Sequence, residues 1–189
     1  MLPLVIMGRA FSFLSSPHIN LEGRDVWAFN LGATRYPVTA AFQMHQPPYV
    51  HPDEIENHNK WLKSLTIPVY MRERHEEFPT SVAYPFEDAF KLTSSIVQGT
   101  GKTSPIKYFT SSVAYAIALA ILQERSEIYI YGIELEDRTE YACQRECYLF
   151  WVGFAGGRGI SLSIYCGNKI FKKPLYGETW ESVPLPKID

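Results

Sequence analysis

Uninterrupted apolar runs alternate with amphipathic segments along this chain, and the two patterns predict different elements. The first run, 2–7, stops at Gly8, which is typical of a central strand buried on both faces. Similar runs predict further strands over 25–31, 40–45, 67–71, 127–135 and 160–165. Apolar positions at helical spacing, together with helix start and stop signals, predict helices over 54–65, 111–123 and 139–155 and a short one over 88–98.

The order of these elements predicts the fold class. Strands that alternate with helices favour parallel pairing through right-handed crossovers, which places helices on both faces of the sheet. We therefore expect an α/β fold, a Rossmann-like three-layer sandwich with a mostly parallel central sheet. A chain of 189 residues is long enough for one core, so we expect one domain over 1–189, with an extended tail from about 167.

The strand ends predict where a ligand would bind. In open parallel sheets the binding crevice lies beyond the carboxyl ends of the strands. That rule puts Gly8, Asn30, His45 and the Gly-Ile-Glu run at 132–134 on one rim. The helix that opens with Thr-Ser-Ser at 110–112 has good N-cap residues, and its N-terminus should point at the same rim. Free N–H groups at a helix N-terminus suit a phosphate or a carboxylate.

Composition and charge exclude several classes of protein. The 18 basic and 20 acidic residues give a net charge of −2, without the basic stripe that nucleic-acid binding requires. The apolar N-terminus, 1–7, is too short to span a membrane and lacks the basic lead of a signal peptide. Three cysteines do not make a disulfide framework, and we expect Cys143 and Cys147 to be small buried residues. A cytoplasmic location follows from these features.

Three patterns resemble known motifs but depart from them. The run 99–104, Gly-Thr-Gly-Lys-Thr-Ser, lacks the first glycine of a phosphate-binding P-loop and is followed by Pro105. The residues after Gly8 lack the other two glycines of a dinucleotide fingerprint. His45, His51 and His58 recur in a proline-rich stretch, but their spacing does not favour a metal site over ordinary loop histidines. We expect neither a metal nor another cofactor.

Two neighbouring stretches carry a family resemblance: the predicted helix in 109–120, FTSSVAYAIALA, and the predicted strand in 127–134, EIYIYGIE. The pair resembles the small bacterial sialyltransferases that use CMP-sialic acid, and their motility-accessory and pterin-pyrophosphokinase-like relatives. The resemblance implies a nucleotide or nucleotide-sugar pocket that is lined by Gly8, Asn30, Ser111, Ser112, Gly132, Ile133 and Glu134. It also implies that Tyr141 binds the donor phosphate and assists the departure of CMP.

This chain departs from the family pattern at several of these positions. Ser112 replaces a glycine, Glu134 replaces an aspartate, and Glu136 stands where the family has its first active-site tyrosine. Arg9 follows Gly8 where the family has a turn that carries an asparagine. Its guanidinium could contact a phosphate, or the side chain could lie on the surface. In the family, the general base is a histidine in the later part of the chain. This chain has no counterpart, because its last histidine is His75.

Three functions remain open at this point, and the identity of any general base remains open with them. His45, His75 or Glu134 could accept the acceptor's proton. The chain could be a metal-independent transferase with a nucleotide-activated donor, another nucleotide-dependent enzyme such as a pyrophosphokinase, or a non-catalytic binding protein that keeps the fold. Tyr176 and Trp180 could cover a groove or a neighbouring subunit, so a homo-oligomer also stays open.

Overall fold

The computed structural model describes residues 2–8, 10, 19–45, 55–96, 106–135 and 141–165, with only the backbone at Leu31, Ile55, Tyr141 and Ala142. Within these ranges seven strands form one sheet. The strands are β1 Leu4–Met7, β2 Asp25–Phe29, β3 Ala40–Gln43, β4 Val69–Met71, β5 Ser81–Ala83, β6 Glu127–Tyr131 and β7 Ser161–Tyr165. The helices are α1 Ile55–Ser64, α2 Phe86–Lys91, α3 Ser112–Leu122 and α4 Tyr141–Gly157, and a 3-10 helix spans Asn30–Arg35.

The sheet confirms the predicted fold class. Its strand order is β5-β4-β3-β2-β1-β6-β7, and every described pairing is parallel. The chain builds outward from β1 to β5 on one side, and α3 then returns across the sheet to place β6 on the other side of β1. The connections therefore leave β1 and β6 in opposite directions, which makes the gap between these two strands a topological switch point.

Two hydrophobic layers separate the sheet from the helices. Alternate residues of each buried strand face opposite sides, so Leu4 and Ile6 pack in one layer and Val5 and Met7 in the other. The first layer lies under α2, α3 and α4, and the second includes Leu62 of α1 and Ala33 of the 3-10 helix. Helix α3 is buried throughout 113–121, because it is apolar on all sides and packs between the sheet and α4.

Several predicted boundaries were wrong, for identifiable backbone reasons. The strand predicted over 127–135 ends at Tyr131, because Gly132 has a φ of +64°. The strand predicted over 25–31 ends at Phe29, because Asn30 turns into the left-handed region with a φ of 48°. The short helix predicted over 88–98 is α2, Phe86–Lys91. Strand β5 was not predicted, since three residues carry too little periodicity to be recognised.

The two cysteines of α4 differ in burial. Cys147 is buried as expected, but Cys143 is exposed, so that part of the prediction was wrong. Among the side chains of α4 that the structure describes, the buried ones begin at Cys147, and Cys143 lies one turn earlier, near the start of the helix. Among the described residues, no helix combines the length and apolar character needed to cross a membrane.

Candidate functional site

A cavity of about 570 Å³ lies beyond the carboxyl ends of β1, β2, β3 and β6. This is the switch point of the sheet, and the volume falls within the range of small-molecule sites. Residues predicted for the site that line the cavity are Gly8, Asn30, His45, Ser111, Ser112, Gly132, Ile133 and Glu134. Arg9 lies outside the described residues, and of Tyr141 the structure describes only the backbone.

Two glycines form the floor of the cavity by bringing the ends of β1 and β6 into close contact. The backbone hydrogen bonds between β1 and β6 continue past the ends of the two strands. Gly8 N donates to Tyr131 O (2.7 Å), and Ala10 N donates to Gly132 O (3.1 Å). A Cβ at Gly8 would overlap the Gly132 carbonyl, and a Cβ at Gly132 would lie 2.9 Å from Ala10 O. Both positions therefore require glycine for close backbone approach, whether or not a ligand is bound.

The N-terminus of α3 opens onto the cavity, with Ser111 as its N-cap residue. Ser111 has extended backbone dihedrals (φ −139°, ψ 149°), as an N-cap requires, yet its side chain makes no capping hydrogen bond. The residue is only 6% exposed, and its Oγ has no hydrogen-bond partner. The N-cap falls within the Thr-Ser-Ser run at 110–112, as predicted, but the Ser111 hydroxyl does not cap the helix.

Helix α4 fixes the segment that precedes α3. The Thr110 hydroxyl donates to Cys143 O (2.8 Å), and the Thr110 amide lies 3.3 Å from Cys147 Sγ. One turn further along α4, the Trp151 indole N–H donates to Tyr108 O (2.8 Å). These bonds hold the first turn of α3 against α4, so the position of Ser111 does not depend on a cap of its own.

Asn30 is the second residue at the cavity with an unpaired buried polar atom. It follows β2 directly, and its Oδ1 is buried without a hydrogen-bond partner. Leaving such an atom unpaired costs about 1–3 kcal/mol, so most buried polar side chains in folded proteins are paired. Asn30 and Ser111 both line the cavity, and each carries a polar side-chain atom, an acceptor and a hydroxyl, that no described protein group pairs.

Aromatic side chains form a wall of the cavity, and sequence reasoning did not identify them. Phe109 and Tyr115 both line the cavity and are stacked, with ring centroids 4.8 Å apart and an interplanar angle of 24°. Burial raises the pKa of the Tyr115 hydroxyl, and the charge of Arg72 opposes part of that rise. Tyr115 lies four residues after Ser111, on the same side of the helix, and this spacing was the signal that could have identified it.

Three residues were predicted to act in proton transfer or leaving-group chemistry. Glu134 is half-buried and His45 is exposed, and both line the cavity. Tyr141 opens α4, and Gln144, in the same first turn, lines the cavity although it was not predicted. His75, the third candidate base, is not among the lining residues; its ring packs edge-on against Phe78 at 6.0 Å.

A metal site would need several histidine, cysteine or carboxylate side chains close together in the part of the chain that the structure describes. There, no group of three or more histidine, cysteine, aspartate or glutamate side chains is arranged to hold a metal ion. The motif-like run 99–104 and His51 lie outside the described residues.

Comparison with known proteins gives no match: no family model, no curated protein and no solved structure is detectably similar to this chain. Any function must therefore be inferred from the site itself. Its main features are the switch-point cavity, the unpaired Asn30 and Ser111 side chains, the N-terminus of α3 and the aromatic wall.

Proposed function

We propose that the cavity binds a nucleotide or a nucleotide-activated sugar, and that the protein is a glycosyltransferase-like enzyme that uses this ligand as donor without a metal. The observation that supports this most strongly is that two residues lining one cavity, Asn30 and Ser111, each carry a buried atom without a hydrogen-bond partner, Oδ1 and Oγ. A ligand with both a hydrogen-bond donor and an anionic acceptor would pair both atoms and recover the cost of leaving them unpaired.

The phosphate of the ligand occupies the N-terminus of α3 in this proposal. The first amides of a helix have no partner within the helix, and the helix dipole adds a favourable field for an anion. Here the first intrahelical bond runs from Ala114 N to Ser111 O, at 3.1 Å. The amides of Ser112 and Val113 come before it, and the Ser111 hydroxyl adds a donor beside them. A phosphate at this point would accept from all three.

The remainder of the ligand lies along the aromatic wall and the end of β2. A nucleobase or a sugar ring gains dispersion and stacking energy on Phe109, Tyr115 or Phe29, all of which line the cavity. The Asn30 carboxamide oxygen accepts a hydrogen bond from an amino or hydroxyl group of the ligand. The site therefore prefers the orientation of the ligand that presents such a group to Asn30.

Glycosyl transfer in this cavity needs a group that accepts a proton. A bond forms between the acceptor oxygen and the anomeric carbon while the bond from that carbon to the phosphate breaks, and the acceptor's proton passes to a base. Glu134 and His45 line the cavity and are the candidates for that base. Tyr141 is the candidate for stabilising the departing phosphate, a role that rests on the family resemblance and on its place at the start of α4.

A nucleotide panel in a thermal-unfolding assay tests the binding proposal. CMP or UDP without metal, at about a hundred times the dissociation constant, should stabilise the protein by about 2.7 kcal/mol, which corresponds to about 5–10 °C for a chain of this length. Ser111→Ala should weaken binding about tenfold, because it removes one hydrogen bond to the phosphate. Ser126→Ala is the matched control, since Ser126 is an exposed serine at the opposite edge of the sheet.

The outcomes of the panel separate the three hypotheses. Stabilisation only by ATP or GTP with Mg²⁺ would favour a pyrophosphokinase-type enzyme instead. No stabilisation by any nucleotide would contradict the proposal and leave a non-catalytic protein. If CMP or UDP binds, nucleotide release from sugar donors should fall in Glu134→Gln or in His45→Gln, whichever is the base, and in Tyr141→Phe. Unchanged turnover in all three variants would refute the proposed chemistry but not the binding.

A further inference from the structure

The carboxyl edge of the sheet continues beyond the cavity to β4, where it carries a cation. Arg72 directly follows Met71, the last residue of β4, and its side chain is exposed. The rim thus has Glu134 after β6 at one end and Arg72 after β4 at the other, with His45 after β3 between them. Glu134 and His45 line the cavity described above, and β4 is the next strand along the sheet.

A short path of aromatic rings connects Arg72 to the wall of the cavity. The guanidinium carbon lies 5.7 Å from the ring centroid of Phe86, and this ring is 5.9 Å from Tyr115 in a perpendicular arrangement. Tyr115 in turn lines the cavity. The Arg72 charge also acts on the Tyr115 hydroxyl, whose pKa is raised by burial and partly lowered by this arginine. The cation is therefore electrostatically coupled to the cavity wall.

Within the described ranges, no carboxylate forms an ion pair with Arg72. Four ion pairs join other basic residues of the described chain to carboxylates, at Lys60, Lys63, Lys91 and Arg125, but none involves Arg72. Packing over an aromatic face restrains a guanidinium while its N–H groups, which lie in the plane of the group, stay available for a bidentate contact with an anion.

We propose that Arg72 forms a second anion subsite, continuous with the cavity, which selects ligands that carry a negatively charged group in addition to the phosphate at α3. The inference rests on the proposed function, because it takes the first phosphate to lie at Ser111. The second group is a phosphate or a carboxylate. It can belong to a nucleoside diphosphate or to an acidic sugar linked to the nucleotide, since a guanidinium fork pairs with either.

Calorimetric titration of four ligands tests the subsite: CMP, CDP, UDP-glucose and UDP-glucuronate. Within each pair, CMP with CDP and UDP-glucose with UDP-glucuronate, the second ligand carries one more anionic group. Where that group reaches Arg72, Arg72→Gln should lower the affinity of the second ligand about tenfold and leave that of the first within about twofold. A loss for CDP but not CMP assigns the group to the second phosphate, and a loss for UDP-glucuronate but not UDP-glucose assigns it to the sugar carboxylate. Arg72→Lys should keep part of the preference, because the charge remains.

Arg74→Gln is the matched control, since Arg74 is an exposed arginine two residues away and should leave all four affinities unchanged. Equal losses in Arg72→Gln and Arg74→Gln would show a general charge effect and overturn the subsite. Equal affinities of wild type and Arg72→Gln for every ligand would also overturn it, while leaving nucleotide binding intact. If wild type binds none of the four ligands, the proposed function and the subsite fail together.

Discussion

Two sites at opposite edges of the sheet, the Arg125 ion pair and the cavity, differ in whether the protein pairs their buried polar groups. At the amino edge Arg125, only 8% exposed, forms an ion pair with Asp25 at the start of β2. Its guanidinium also donates to Leu2 O (3.0 Å) and to Gln123 Oε1 (2.9 Å). At the carboxyl edge the buried Oδ1 of Asn30 and Oγ of Ser111 have no hydrogen-bond partner.

This difference indicates which of the two sites uses its polar groups to stabilise the fold and which leaves them available to a ligand. A buried charge is tolerated at the amino edge because the chain supplies a carboxylate and two carbonyl-type acceptors for it. The cavity keeps two polar groups that the described chain does not pair, at a cost to stability that a bound ligand would offset. Substitutions at the two edges should therefore change the free energy of unfolding by different amounts. One of them, Ser111→Ala, should raise it instead of lowering it.

The largest expected effect is at the floor of the cavity. Gly8→Ala places a methyl group on the Gly132 carbonyl, so the ends of β1 and β6 must separate, and the free energy of unfolding should fall by about 4 kcal/mol. Gly153→Ala is the control, because a Cβ there meets nothing within 4 Å on an exposed face of α4, and it should raise stability by about 0.5 kcal/mol. Urea denaturation measures both; similar stabilities for the two variants would refute the close approach of the two strands.

The amino edge should show the next largest effect. Arg125→Met leaves Asp25 without its cation, and the free energy of unfolding should fall by about 3 kcal/mol. Adding Asp25→Asn should recover part of this loss, because the unpaired charge is removed. Lys60→Met breaks an exposed pair with Glu56 and should not change the denaturation midpoint measurably. An Arg125→Met protein as stable as wild type would mean that this edge does not depend on the ion pair.

The smallest expected change in the free energy of unfolding is at Ser111. It should be an increase, whereas loss of a paired group at the amino edge should cause a decrease. A serine that caps its helix costs about 1 kcal/mol when replaced by alanine. Because the Ser111 hydroxyl caps nothing and is buried unpaired, Ser111→Ala should instead raise the free energy of unfolding of the unliganded protein by about 1 kcal/mol. Thermal and urea denaturation without nucleotide provide the measurement.

Thr93→Val gives the contrast for Ser111→Ala. Thr93 is fully buried, and its hydroxyl bonds to Phe90 O and Ile106 O while accepting from Ile106 N. Its loss leaves backbone groups unpaired and should lower stability by about 1–2 kcal/mol. If Ser111→Ala lowers stability as Thr93→Val does, the hydroxyl is paired in solution, and the main support for a ligand at this edge is lost.

The sequence was sufficient to predict six of the seven described strands and the rim at their carboxyl ends. Apolar runs that end at Gly8 and near Asn30 and Gly132 identified three central strands, because burial on both faces leaves few polar positions. Since parallel strands share one carboxyl edge, the residues after those strands could be placed together before any coordinates were known. The same rule brought Ser111 to the rim, because a helix that leads into a parallel strand begins at that edge.

Only the tertiary structure decided how the residues of that rim are used. Whether a serine hydroxyl caps its helix depends on the partners that the fold brings to it, and here α4 holds the preceding Thr110 while Ser111 stays unpaired. The contacts of Arg125 with Leu2 and Asp25 join residues about a hundred or more positions apart, which no local pattern records. Local periodicity reports burial, whereas hydrogen-bond pairing and cavities are properties of the packed chain; for that reason the fold could be predicted, and the two unpaired side chains that single out the site could not.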